Sequence, residues 1–198
     1  MISLHEGRGS VARKASPRKA YALRLTVAAI QPRIWRRLLV RDTMWLSRLH
    51  EAIQLAFEWY DYQTHLFIAG EKRYGNPVDH EGMVIEDDRD VTLADLRPGE
   101  HGHFSYDYLF AEGWHVDVRV EKTTTVEKGA AYPRCMAGER HGPPEDCGGL
   151  EAYKDMLYCL KHPETDLGRE WRQWLGRAYD PEKCDLNAIN RALRRLGK

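Results

Sequence analysis

Two alternating runs of large apolar side chains, separated by a short glycine-containing turn, limit what this chain can become. Phe104, Tyr106, Tyr108 and Phe110 hold every second position of the first run. Trp114, Val116, Val118 and Val120 repeat the pattern after Glu112 and Gly113, with His115, Asp117, Arg119 and Glu121 between them. Successive strand side chains point to opposite faces, so each run has one apolar and one polar side. The pair predicts a β-hairpin, and a lone hairpin is not stable in water. The remaining chain must therefore add strands and a cover for the aromatic side.

Both are legible. Tyr21, Leu23, Leu25 and Val27 alternate with Ala22, Arg24 and Thr26, which predicts a strand. Pro32 interrupts, and Ile34 to Val40 reads as a second strand. His65 to Ala69 gives a third, with a short fourth around Arg73 and Tyr74. Leu46, Leu49, Ile53, Ala56 and Phe57 recur at helical spacing, predicting a helix from about Ser47 to Glu58. The polar, acidic stretch from Asn76 to Arg89 reads as loop. Further on, Leu150, Tyr153, Leu157 and Leu160 mark a helix that stops before Pro163. Trp171, Trp174, Leu175 and Ala178 mark another, and Leu186, Ile189, Leu193 and Leu196 a last one, N-capped by Asp185. Strands early and helices late predict an α+β fold. The expected architecture is an antiparallel sheet of about five strands, packed by the early helix and a C-terminal helical segment. Residues 21–198 read as a single domain. Residues 1–20 lack periodicity and hold Arg8, Arg13, Lys14, Arg18 and Lys19 against Glu6, the pattern of a basic, flexible tail.

With 198 residues the chain is long enough to bury a core. Its formal charge is zero, so attraction to nucleic acid must come from local patches. No apolar run approaches the ~18 residues of a membrane span, and no signal-peptide core precedes Tyr21. The expectation is a cytoplasmic protein with no membrane partner. Four cysteines (Cys135, Cys147, Cys159, Cys184) are too few for a disulfide scaffold and read as thiols or ligands, with a Cys135–Cys147 disulfide as the lesser alternative.

The segment from Tyr132 to Gly149 gathers two cysteines, one histidine, three prolines and four glycines, and reads as neither helix nor strand. A loop so punctuated is functional or pinned by something specific. Thiolates with imidazole favour zinc, so Cys135, His141 and Cys147 form a candidate chelate, completed by His65, His115 or Cys184. A hydrolytic version would use Asp61, Glu112 or Asp146 as second-shell group or general base. The competing reading makes the cysteines small buried hydrophobes in a loop held by prolines and backbone hydrogen bonds. His50 and Glu51 fall short of a His-Glu-x-x-His metal helix, because the second histidine position is Gln54. His101 and His103 read as a polar turn. Glu86, Asp87, Asp88 and Asp90 lack cation-loop spacing and read as solvated.

Several ordered motifs resemble the plasmid pRiA4b ORF-3-like family, whose members are also labelled IS1096-element passenger TnpR-like proteins. They are Pro32-Arg33-Ile34-Trp35-Arg36-Arg37, Leu49-His50 with Ile53-Gln54, and Trp59, Asp61, His65 and Phe67 in one stretch. Tyr106 to Trp114, Tyr132-Pro133 with Cys135, and Pro143 to Gly149 complete the set, spanning roughly residues 21–196. Against the family pattern, Leu109, Ala111 and Glu112 stand where Asp, Gly and Asp are usual, and Gln63 replaces a histidine. Gly142 stands where many members have a cysteine, and His115 lies one position before the histidine usual after this tryptophan. The resemblance implies an α+β fold and a mobile-element neighbourhood, with the polar site thinned. It implies no established reaction. Serine recombination needs a nucleophilic serine among arginines. Ser3, Ser10, Ser16, Ser47 and Ser105 are the only serines, and none has that setting.

Nucleic-acid binding has residues to work with. Arg33, Arg36, Arg37 and Arg41 interleave with Trp35, and Arg191, Arg194, Arg195 and Lys198 form a stripe at helical spacing. Cationic stripes with an aromatic can track phosphates and stack a base. The functional expectation is a non-enzymatic binding or adaptor module for nucleic acid or protein, with Arg33, Trp35, Arg36, Arg37, Arg191, Arg194 and Arg195 as contacts. No cofactor is expected; zinc is the alternative.

Overall fold

In the computed structural model, residues 18–98, 102–108, 113–176 and 178–197 are described. The element order is β1 (Lys19–Val27), β2 (Trp35–Arg41), α1 (Leu46–Phe57), β3 (His65–Ala69), β4 (Lys72–Gly75), β5 (Glu86–Asp87), β6 (His103–Tyr108), β7 (Trp114–Thr125), β8 (Arg134–Glu139), α2 (Gly149–Leu160), α3 (Asp166–Leu175) and α4 (Leu186–Leu193). A 3-10 turn at Pro77–Asp79 precedes β5. The fold is α+β, but the sheet has eight strands rather than about five, in the order β5-β4-β3-β6-β7-β1-β2-β8. Its pairings are antiparallel except β4 with β5, which is parallel. The hairpin pairs as expected, with Phe104 opposite Val118 and Tyr108 opposite Trp114. Phe110, Leu109, Ala111 and Glu112, like most of the basic N-terminal stretch, His101 and Lys198, lie outside the described residues.

Alternation decides what each strand face meets. Tyr21, Leu23, Leu25 and Val27 of β1, Leu38 and Val40 of β2, and Val116, Val118 and Val120 of β7 are buried in one core. α1 lays Leu46, Leu49, Ile53 and Phe57 against them. Each such aliphatic or aromatic side chain contributes roughly 1.5–3 kcal/mol on burial. α2 adds Tyr153 and Met156, and α4 adds Ile189 and Leu193. Asp185 caps α4 as expected, accepting from the Ala188 amide at 2.9 Å. Among the described residues, the opposite sheet face is covered at one end, where Tyr132, Val126 and Ala130 pack on Ala20 and Leu39.

β8 corrects the reading of residues 132–149 as neither helix nor strand. Its six residues sit between the flanking prolines and pair antiparallel with β2, with a register shift at Arg37/Leu38. As an edge strand it would expose unpaired backbone groups. Asn190 of α4 satisfies the pair at Cys135: its carboxamide accepts from Cys135 N at 2.8 Å and donates to Cys135 O at 2.9 Å. At that one residue the side chain stands in for a strand partner.

Candidate functional site

Two polar regions stand out, one inside and one outside. The inner one lies between α1, the segment after it, and the hairpin. α1 ends at Phe57, and Glu58 and Asp61 adopt left-handed conformations that turn the chain back along the helix. His50 Nδ1 then lies 2.8 Å from the Tyr106 hydroxyl, and His50 Nε2 lies 2.8 Å from Asp61. Gln54 donates to the same hydroxyl at 2.8 Å and accepts from the Asp61 amide at 3.2 Å. Donor bookkeeping assigns one pattern: Tyr106 O–H donates to His50 Nδ1, and His50 Nε2–H donates to Asp61. Burial raises the Tyr106 hydroxyl well above its usual range. The hydrogen bond from His50 lowers the Asp61 carboxyl.

His65 stacks on His50, ring centroids 3.6 Å apart, and bonds Asp88 at 2.8 Å. This corrects the reading of Asp88 as a solvated acid: it is buried because β5 carries it beside β4, its amide donating to Gly75 O. Burial lowers the pKa of His65, more than the bond to Asp88 offsets. A histidine held below its unfolded value favours its neutral form in the fold. That stability is present above the ordinary histidine pKa of about 6.5 and is lost as pH falls through the lower folded value. Melting temperature should therefore drop as pH falls through that range, and His65→Gln should flatten the drop. An equally steep profile in the variant would remove His65 as its origin.

The Pro143–Asp146 turn locks against this region. Glu145 is buried and accepts from Tyr60 N at 2.6 Å, Tyr62 N at 3.1 Å and the Tyr108 hydroxyl. Trp59 donates to Pro143 O at 2.9 Å and stacks on Phe57 and Tyr108. Gly142 abuts the end of α1 so closely that a Cβ would sit 2.0 Å from Phe57 O, so no side chain fits without backbone movement. The inner network is mutually satisfied, and its solvent-facing end is the half-exposed Asp61 carboxylate.

The predicted chelate is not assembled. β8 turns Cys135 into the core, where its thiol meets Ala137 O, and Cys147 is buried against Gly149 O. Burial pushes each thiol up to about 11. His141 faces Glu58 at 3.2 Å, and His65 is committed to Asp88. His115 bonds Asp107 on the opposite sheet face. Among the described residues no group of three or more His, Cys, Asp or Glu side chains could hold a metal ion. Cys135 and Cys147 are free thiols rather than a disulfide.

The outer region is the sheet face left open among the described residues, where a groove of about 1070 Å³ runs over β1, β2, β6 and β7. His103, Arg119, Arg24 and Arg37 are register partners across those four neighbouring strands: His103 opposite Arg119, Arg119 opposite Arg24, Arg24 opposite Arg37. Like charges directly opposite one another destabilise a sheet. Glu121 offsets part of the row, taking both a bidentate Arg37 contact and Arg24 at 3.7 Å, and Arg37 holds its carboxyl below the usual range. The Arg24 guanidinium lies 3.9 Å over the Trp35 ring. Arg33, Arg119 and Lys122 also line the groove and carry no salt bridge among the described residues.

The groove unites Arg33 and Arg37 with Trp35 at its edge, and it excludes Arg36. Arg36 is fully buried on the core face, because strand neighbours alternate. It donates to Ala56 O, Trp35 O and Glu139 O at 2.8, 2.8 and 3.0 Å, which corrects its reading as a phosphate contact. Arg191, Arg194 and Arg195 belong to α4 and its end, which packs on α1 and β8, and none lines the groove. Arg24, Arg119 and Lys122 were absent from the sequence-derived contacts. Their signal was present: Arg24 and Arg119 hold the polar alternates of two expected strands.

Among the described residues, eight strands with helices on one side, a buried His/Tyr/Asp network and an uncovered basic face define a small α+β protein with an open sheet surface. The chain belongs to the plasmid pRiA4b ORF-3-like protein family, whose model matches residues 19–188. It is 30% identical over 173 residues to the uncharacterized protein y4hQ of Sinorhizobium fredii (strain NBRC 101917 / NGR234), covering 86% of this chain and 89% of that protein. It is also similar to the crystal structure of a protein of unknown function, MM3350, from Methanosarcina mazei Go1. There the TM-score is 0.77 and the identity 33%, over 87% of this chain and 98% of the other. Among the described residues no helix is long and apolar enough to cross a membrane.

Proposed function

We propose that this protein is a non-enzymatic binding module whose open sheet face takes the phosphate backbone of a nucleic acid. One observation carries the reading: the in-register row His103–Arg119–Arg24–Arg37 across four strands. Neighbouring strands are ~4.8 Å apart, so the row is a line of donors suited to a linear polyanion. A protein of zero net charge that concentrates like charges on one face accepts a local cost. A polyanion would relieve it, with release of condensed counterions. Arg33 and Lys122 extend the row along the groove, and Trp35, clamped by Arg24, offers a ring at its edge. The family's description by a plasmid reading frame supports taking nucleic acid as the first ligand to test.

The test is fluorescence anisotropy with labelled single-stranded and duplex oligonucleotides. Arg119→Glu reverses an exposed charge at the centre of the row, and affinity is expected to fall at least about tenfold with an unchanged melting temperature. Equal binding by the variant would remove the face as the site.

A further inference from the structure

A second surface has the opposite chemistry. Two adjoining hollows of about 390 and 490 Å³ lie between the Pro143–Asp146 turn and α3, sharing Asp146 and Trp174 as common walls. Trp174 is 53% and Tyr60 72% exposed, and Tyr62 stacks on Tyr60 to continue the aromatic patch. Trp171 meets Trp174 edge-on, ring centroids 5.5 Å apart. Glu58, Asp146 and Glu170 rim the hollows, and no lysine or arginine lines them among the described residues. Glu58 is matched by His141, whereas Asp146 and Glu170 have no ion pair among those residues.

We propose that this groove docks an arginine-bearing peptide segment of a protein partner. A guanidinium can lie flat on an indole or phenol ring while its edge bonds a carboxylate, and the groove sets both within one hollow. Lysine, a hydrated point charge, has no plane and edge with which to stack on a ring and bond a carboxylate at once. The platform is held in advance: Glu145 ties Tyr60 and Tyr62 by their amides, and Trp59 ties Pro143. Preorganised aromatic anchors of this kind concentrate binding energy in few residues. The surface is separate in lining from the basic groove on the sheet.

The experiment uses the full chain and capped peptides of alternating arginine and leucine, with lysine-leucine and glutamate-leucine peptides beside them, followed by calorimetry. The arginine peptide is expected to bind at least about tenfold tighter than the lysine peptide, the glutamate peptide not at all. Trp174→Ala, and separately the Asp146→Asn/Glu170→Gln pair, should each weaken it about tenfold or more. Arg119→Glu should leave peptide binding intact, which separates this site from the sheet face. Equal affinity for arginine and lysine peptides, or binding indifferent to both groove variants, would overturn the proposal. So would sedimentation showing the groove filled by a second copy of the chain.

Discussion

Arg36→Ala is expected to lower stability by roughly 3–5 kcal/mol, from carbonyls left without their donor and the cavity where a large buried side chain lay. The side chain is fully buried, and burial lowers its pKa. It remains because it does three jobs at once. Its Nε caps Ala56 O in the last turn of α1, where helix carbonyls lack intrahelical partners and the dipole favours a cation. One terminal nitrogen joins Trp35 O to Glu139 O across the β2–β8 pair. Its stem fills space made by Gly138, where a Cβ would lie 2.8 Å from Arg36 Cδ. Alanine leaves the helix end uncapped and opens a cavity. For a chain of this size the melting temperature should fall by roughly 6–20 °C. Arg36→Lys should recover only part, since an ammonium cannot span the same carbonyls. A variant that melts normally but loses nucleic-acid affinity would return Arg36 to the binding surface and contradict its placement in the core.

Glu145→Ala is expected to cost a similar amount, roughly 3–5 kcal/mol, the sum for three donors that lose a charged acceptor. The carboxylate is the shared acceptor for two part-buried backbone amides and the buried Tyr108 hydroxyl, and alanine takes the acceptor from all three. Glu145→Gln keeps one oxygen but turns an amide donor toward a donor, so it should restore only a fraction. Hydrogen exchange at Tyr60 and Tyr62 should accelerate in both variants well before global unfolding, because the tie between turn and segment is gone. Protected amides and an unchanged melt in Glu145→Ala would mean that the turn is held by something else.

The legible parts of this fold are those specified by local period. β1, α1 and the hairpin carry their own pattern, and tertiary packing agrees with it. β8 does not: Arg134 to Glu139 mixes small, charged and sulfur-bearing residues, and its strand state comes from pairing with β2 and from Asn190 far along the chain. β5 is two residues held by a parallel neighbour, which no alternation can announce. The basic face was half legible. Arg33, Trp35 and Arg37 share a face, and Arg36 between them faces the core, as period 2 requires; treating the run as one patch overlooked that rule. Arg24 and Arg119 join the row only through strand register, a long-range property. The cysteine-bearing segment misled for a related reason. Closeness in sequence promised a chelate, while the strand and turn direct Cys135, His141 and Cys147 to separate neighbours.

The decisive measurement is the salt dependence of oligonucleotide affinity, from about 50 to about 200 mM, for the native chain and an Arg33→Ala/Arg119→Ala/Lys122→Ala variant. Each phosphate contact contributes roughly one unit to the slope of log affinity against log salt concentration. The expected result is a steep negative slope for the native protein, shallower by about two to three units in the variant at equal melting temperature. Salt-independent binding, or the same slope in both proteins, would contradict a phosphate-binding sheet face.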